Sequence, residues 1–560
     1  MIGALWMALA GAACSDTPPA AGQVADLLIV NGQVFTADGQ AAAQAVAIAG
    51  QTILRVGTDQ ELAPLKGPAT RVIDAHGATV APGFNDAHVH FLSGGQSLGD
   101  VDLAGLTTLP QVQTAIRDFA AAKTDAPWVK GRGWLYSPFP GASPTRAQLD
   151  AIVADRPAVM TCYDGHSIWV NSKALALAGV TRDTPNPTNG VIVKDPRTGE
   201  PTGHLKEAAT ELVTRIMPKP TEADRRAALR TAVAHAHRYG VTSVQNAGGD
   251  PDEMALYDQA RRAGELQVRT YLAFSAAAGM TVADLDRMEE TRKQFGDDPT
   301  LKTGAVKIYA DGVIESRTAA LLAPYTNSRE AGLPNLSADE MNRLVSMVDQ
   351  RGWQIWIHAI GDRAIRMSLD AFARAATANP APARGRRHRL EHIETVAADD
   401  ISRFGQLGVI ASQQPMHVQL GDMNSAQPSG PWPDNIGPER ASRAWAWKSI
   451  RAAGGRLAFG SDWPVAPLAP GLGLWLTATR TGPANAVDQK ISVRDAINGY
   501  TLWPAYASFE EQRKGTLAPG MLADVVILTE DILTKIPATA AGVVVATTIF
   551  DGKVVYEKPK

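Results

Sequence analysis

"VAPGFNDAHVH" (residues 80–90) sets His88 and His90 two positions apart at the end of an apolar run. A strand turns alternate side chains to opposite faces, so on an extended chain both imidazoles point the same way. Pro82-Gly83 just before them marks a turn or the start of a strand. Taken alone, the pair has two readings: metal ligands, or strand-end histidines that satisfy local hydrogen bonds. The rest of the chain decides between them.

Seven later stretches share the design. They are "GVTSVQNAG" (240–248), "VRTYLAF" (268–274), "GAVKIYADG" (304–312), "WQIWIHAIG" (353–361), "HRLEHIE" (388–394), "GVIASQQP" (408–415) and "RLAFGSDWP" (456–464). Each is short and apolar, and most close on polar residues. Amphipathic segments lie between several of them, such as "TEADRRAALRTAVAHAHRYG" (221–240) and "DRAIRMSLDAFARAATA" (362–378). Strand and helix in alternation predict parallel βα units. Closed into a ring, they make an α/β fold with a (β/α)8 TIM-type barrel, whose active site lies at the C-terminal ends of the strands.

Both flanks read differently. Residues 26–57 alternate short apolar runs with Asn-Gly, Asp-Gly and Gly-Gln turns, and 515–531 and 543–557 repeat that style. This predicts a small β-sandwich domain built from both chain ends, 26–80 and 515–560, around a barrel over 81–514. A long stretch at about 128–205 separates the first two strands and is expected as an insertion over the barrel mouth.

The 560 residues carry a net charge of −3, with 45% hydrophobic and 20% charged residues. That composition is ordinary for a globular protein and gives no basic footprint for nucleic acid. The two cysteines, Cys14 and Cys162, imply no disulfide framework. Residues 1–13 are apolar and too short to cross a bilayer, which takes about 20 residues. They read as a signal peptide, and "AGAAC" resembles a lipoprotein cleavage site with Cys14 as the lipidated residue. A cleaved secretory peptide with an incidental cysteine is the alternative. Residues 15–25 read as a tether. The expected location is the bacterial envelope, on the periplasmic side. The only membrane contact is the lipid anchor, and Ser15 favours the outer membrane.

The strand-end residues His88, His90, Lys307, His358, His392 and Asp462 converge on one barrel mouth. Histidine and aspartate are standard ligands of Zn²⁺ and similar ions. A lysine ammonium is not, but a desolvated lysine near cations loses its proton more readily. The neutral amine takes up CO₂ as a carbamate, whose two oxygens bridge metals about 3.5–4 Å apart.

In chain order, "PGFNDAHVH", "GRGW", "LDAIVADRPAV", "DGHSIWVNSKAL", "VKIYADGVIESRTAAL", "HAIGDRAI", "HRLEHIE", "SQQPMH", "FGSDWPV" and "GTLAPGMLADVVIL" resemble the metal-dependent amidohydrolase superfamily. The likeness is to its amidohydrolase-3 branch, that of the N-substituted formamide deformylases, over about 26–555. The resemblance implies two divalent ions, most often zinc. His88, His90 and Asp462 hold the buried ion, His358 and His392 the more exposed one, and carbamylated Lys307 bridges them. It implies a bridging hydroxide as nucleophile and Asp462 as the group that shuttles its proton. The substrate is then a small molecule with an amide-type, non-peptide carbon–nitrogen bond.

Other residues have two readings each. His166 faces substrate or caps a loop, and His417 reaches the site or does not. Arg317 pairs with a substrate carboxylate or with Glu315. Trp134 and Tyr136 wall an aromatic pocket or simply pack. His235, His237, His76 and His388 read as structural, and Cys162 as a buried small hydrophobe. A mononuclear deaminase is a rival activity. It is disfavoured because Gly361 stands three residues after His358, where such enzymes carry glutamate. A non-catalytic envelope binding protein is a second rival, disfavoured because no ligand is missing.

Overall fold

Eight parallel strands hydrogen-bond in sequence order: β1 (Phe84–Val89), β2 (Val241–Gly249), β3 (Arg269–Ser275), β4 (Leu301–Tyr309), β5 (Gln354–Ala359), β6 (Arg389–His392), β7 (Ile410–Gln413) and β8 (Arg456–Phe459). The structure is a computed structural model describing residues 24–36, 43–296, 298–484 and 486–559. Cys14 and the apolar leader lie outside the described residues. Every residue of β1, β5, β6 and β7 is buried, which explains why these strands read as apolar runs rather than alternating ones.

The ring closes just beyond the end of β8. Asp462 N donates to His88 O at 2.6 Å, and His90 N donates to Trp463 O at 2.7 Å. This approach needs glycine at 460, because a Cβ there would sit 2.4 Å from His88 N. Inside the barrel, Trp356 and Tyr271 pack with Ala247, Ala273 and Ala305, and the Arg389 guanidinium lies 3.9 Å from the Trp356 ring centroid. Outside, helices cover the strands. Helix Glu222–Arg238 starts at a capping box between Thr221 and Asp224, and Asp362–Ala378 buries Ile365, Leu369 and Phe372. Each such side chain contributes about 1.5–3 kcal/mol by leaving water.

The sandwich is present. One sheet contains Ala25–Val30, Ala45–Ala49, Thr52–Gly57 and Lys66–Asp74. The other contains Gln33–Val34, Thr79–Pro82, Val525–Leu528, Val545–Phe550 and Lys553–Glu557. Leu27, Ile29, Val46 and Ile48 meet Val80, Val525, Ile527 and Ile549 between them. Buried Arg269, on β3, donates to Asp524 at 2.6 and 2.9 Å and to Asp551 at 3.0 Å, fastening the sandwich to the barrel.

A further six-stranded sheet lies between β1 and β2, with Val101–Asp102, Val129–Trp134, Ala158–Cys162, Ser167–Val170, Gly190–Lys194 and Pro201–Glu207. It reaches back before residue 128, because the two-residue strand Val101–Asp102 pairs with Val129–Trp134. A strand that short leaves no periodicity to read.

Candidate metal centre

His88 ends β1 with its ring wholly buried. Its Nδ1 lies 2.6 Å from Glu391 Oε2, and Glu391 accepts from Arg389 Nε at 2.7 Å and Nη2 at 2.9 Å. This fixes the ring so that Nε2 faces Asp462 Oδ1 at 3.4 Å and Lys307 Nζ at 3.4 Å. His90, one alternation later, brings Nε2 within 3.2 Å of the same Asp462 oxygen. From the far side, His392 Nδ1 and His417 Nε2 lie 3.8 and 3.6 Å from Asp462 Oδ2. His392 and Asp462 have φ of 73° and 61°, left-handed values that side chains adopt at a cost of about 1–3 kcal/mol and that cluster at functional sites.

These donors form two groups sharing Asp462: His88 with His90, and His392 with His417. His392 Nδ1 and His417 Nε2 are buried with no hydrogen-bond partner. Two donors each 2.0–2.1 Å from a tetrahedral ion sit about 3.4 Å apart, close to the spacings here. Burial holds His88 down to about 4 and His392 and His358 well below the usual imidazole range, so all three are neutral and able to bind a cation. Imidazoles converging on one carboxylate, with orphaned nitrogens on His392 and His417, fit a divalent metal.

His358 sits beside this group, its ring centroid 4.5 Å from that of His392. Its Nε2 faces Gly312 O at 3.2 Å. His417, read from sequence as a substrate residue, stands among the donors. Its Nδ1 is held by Glu394 at 3.2 Å, and Glu394 also accepts from Trp432 Nε1 at 2.7 Å.

Lys307 is fully buried on β4 and forms no ion pair among the described residues. Asp311, one candidate partner, instead accepts from the backbone of Ile360, Gly361 and Ala320 at 2.8–3.0 Å. Burial lowers the Lys307 ammonium to about 8, against the pull of Glu391 and Asp462.

The insertion supplies the opposite wall. His166 Nδ1 lies 2.8 Å from Glu207 Oε2, Thr318 Oγ1 donates to Glu207 Oε1 at 2.5 Å, and the His166 ring is 5.5 Å from that of His358. The cavity of about 330 Å³ is lined by His90, His166, Lys307, His358, His392, His417 and Asp462. Sequence reasoning missed Arg132, Tyr163, Glu315 and Glu394 in the same wall.

Three candidates fall elsewhere. Trp134 is buried in the insertion's own core, its Nε1 donating to Met160 O at 2.7 Å, and it lines neither cavity described here. Tyr136, two residues on, does line an outer cavity, and its hydroxyl donates to Asp164 at 2.8 Å. Arg317 is turned away to Asn435 Oδ1 at 2.8 Å and pairs with no carboxylate among the described residues. His235, read as structural, stacks on Trp463 at 5.1 Å and lines the outer cavity, whereas His237 Nε2 is spent on Gln267 O at 2.6 Å. Cys162 is buried as expected.

The amidohydrolase family, in its third branch, matches residues 71–556. The chain belongs to that family. This amidohydrolase is 34% identical over 559 residues to the protein LONG AFTER FAR-RED 3 of Arabidopsis thaliana, covering 97% of this chain and 93% of that one. It is 27% identical to N-substituted formamide deformylase of Arthrobacter pascens, covering 96% and 99%. A crystal structure of an uncharacterized metal-dependent hydrolase from Pyrococcus furiosus superposes with a TM-score of 0.69 at 26% identity, covering 90% and 99%. The amidohydrolase is thus a metal-dependent hydrolase by family, with its candidate donors at the barrel rim.

Proposed function

We propose that this amidohydrolase cleaves an amide-type, non-peptide carbon–nitrogen bond of a small molecule. The observation that carries the reading is the pair of donor groups sharing Asp462, all buried but the half-buried His90. In it, His88, His90 and Asp462 would hold one divalent ion, His392 with His358 and His417 would hold the second, and a carbamylated Lys307 would supply further anionic oxygens. Zinc suits the donor set. When bound, the metals acidify water and polarise a carbonyl oxygen.

The chain's own residues do the rest. Asp462 is held ionised: burial opposes this, but His88, His90 and His417 outweigh it. In this reading Asp462 would carry a proton from the attacking water to the departing nitrogen; the same histidines that hold it ionised make it a weak base, so the relay would depend on bound metal changing their charge. Glu391 and Glu394 fix the rings of His88 and His417. His166, steadied by Glu207, reaches the substrate from the insertion. The insertion and the short helix Pro431–Ile436, which carries Trp432, wall the outer cavity beside the mouth.

Metal analysis with a hydrolysis panel of N-acyl amino acids, N-formyl amines and cyclic amides tests the reading. Close to two ions per chain and chelator-sensitive turnover of an amide support it. One ion with deaminase activity, or two ions with no amide turned over, overturns it. We also propose envelope localisation through Cys14, supported by the apolar leader. Cys14→Ser should move the protein from the membrane fraction or leave it unprocessed, and identical fractionation of both forms would remove the anchor.

A further inference from the structure

The donor-lined cavity continues into an outer cavity of about 760 Å³. The two share Arg132, Tyr163, Glu315, Leu420, Pro464 and Val465 as walls. Beyond this neck the outer walls are largely apolar, with Leu98, Leu135, Trp432, Trp463 and Leu472.

Arg132 stands at the neck with unusual partners. Its Nε donates to Pro464 O at 2.8 Å and its Nη2 to Tyr163 O at 3.2 Å. Nη1 makes no hydrogen bond, and no carboxylate pairs with the guanidinium, among the described residues. A guanidinium stays charged, and a charge shielded from water is costly until paired. The carboxylates nearby have other partners. Asp164 accepts from Tyr136 Oη and His166 N, both at 2.8 Å, Glu315 accepts from the Tyr163 hydroxyl, Asp100 pairs with Lys130 at 3.0 Å, and Glu394 holds His417 and Trp432.

The local sequence is shaped to present this one side chain. In "GRGW", a Cβ at 131 would lie 2.4 Å from Met160 Sδ, and Gly133 takes a φ of 92° against Ala104. Glycine on both sides lets the strand lie flat on its neighbours while Arg132 alone reaches the neck.

We infer that Arg132 anchors an anionic group of the substrate at the neck, while the outer cavity takes an apolar chain. The substrate class is then an amide with a carboxylate or similar anion close to the scissile bond and an apolar tail. This rests on the amide reading above and narrows it. The anion gains charge-assisted hydrogen bonds from Nη1, and the tail leaves water against Trp432 and Leu472.

The test compares carboxylate-bearing amides with their methyl esters, with acyl groups from acetyl to octanoyl. Wild-type enzyme should prefer the acid by about 10–100-fold in kcat/KM, mostly through KM, the range one hydrogen bond to a charged group supplies. Arg132→Gln should collapse that ratio and Arg132→Lys should keep part of it. Lengthening the acyl chain should lower KM in every form. Equal use of acid and ester by wild type, or a ratio that survives in Arg132→Gln, overturns the anchor. Octanesulfonate, a poor zinc ligand, gives a readout without turnover. It should raise the melting temperature of metal-loaded wild type and not of Arg132→Gln. If no amide is hydrolysed but this difference appears, the amide reading falls and the anion site stands. If both variants respond alike, the anion site falls.

Discussion

The closest contact behind the donors is between His88 and Glu391, whose Nδ1 and Oε2 lie 2.6 Å apart with both side chains fully buried. The carboxylate selects the tautomer, leaving Nε2 free to bind a cation. Arg389 holds the carboxylate in turn, and the three residues form one buried chain.

Glu391→Gln should therefore weaken metal binding without removing a donor. The expected loss is about 10–100-fold in affinity for an ion bound through His88, typical of a ligand-orienting partner. Competitive chelation monitored by metal content measures it. Unchanged affinity would mean that backbone position alone orients His88.

How far the sequence shows this site depends on where each residue sits. His88, His358, His392 and Asp462 lie at or just past the C-terminal ends of barrel strands, so finding the strands finds them. Glu391 is adjacent to His392, but its role depends on a contact 303 residues away with His88, which no local pattern reports. Trp134 and Tyr136 looked alike in sequence. Both pack in the insertion's core, ring against ring at 5.2 Å, and only Tyr136, on the loop just past the strand, also borders the outer cavity. Arg317 lost its expected role to Asn435, on a short helix far along the chain. The fold was legible for the same reason as the ligands: repeated strand and helix periods survive without long-range information, whereas loop packing does not.

His417 and His358 should differ in how they affect occupancy. His417 Nε2 is buried, unpartnered and within 3.6 Å of Asp462, while His358 Nε2 faces a backbone carbonyl. His417→Ala should lower the occupancy of the second ion at limiting zinc at least as much as His358→Ala. Metal-to-protein ratios over a zinc titration decide. Full occupancy in His417→Ala would return that residue to substrate contact alone.

Acid stability should depend on Asp349, beneath helix Asp362–Ala378. Burial raises its pKa, but hydrogen bonds from His388 Nε2 at 2.9 Å, Arg386 Nε at 2.8 Å and Asn379 Nδ2 at 3.0 Å outweigh it and lower the carboxyl to about 2. A depressed folded-state pKa stabilises above the unfolded value near 4, and that stability is lost as pH falls toward 2. A shift of this size is worth about 2 kcal/mol. Asp349→Asn should lower the melting temperature at pH 7 and flatten its fall between pH 4 and 2. Parallel melting curves for both proteins over that range would exclude the linkage.

Lys307 gives the sharpest chemical test. It lies on β4 with its Nζ 3.4 Å from His88 Nε2 and no carboxylate partner among the described residues. Its ammonium is lowered to about 8 by burial, so a usable fraction is the free amine at neutral pH. A plain ammonium would repel the cations that the surrounding imidazoles are placed to bind, whereas a carbamate supplies negative charge and two oxygens. Lys307→Ala should lose metal and activity together. Acetate or propionate should restore part of both by filling the gap left between the donors. Lys307→Arg should not respond, since a guanidinium keeps its charge and forms no carbamate. Intact mass under native conditions should show the added carboxyl on wild type and not on either variant. Two bound ions and near-normal turnover in Lys307→Ala would rule out a bridging lysine and leave the metals to the imidazoles and Asp462.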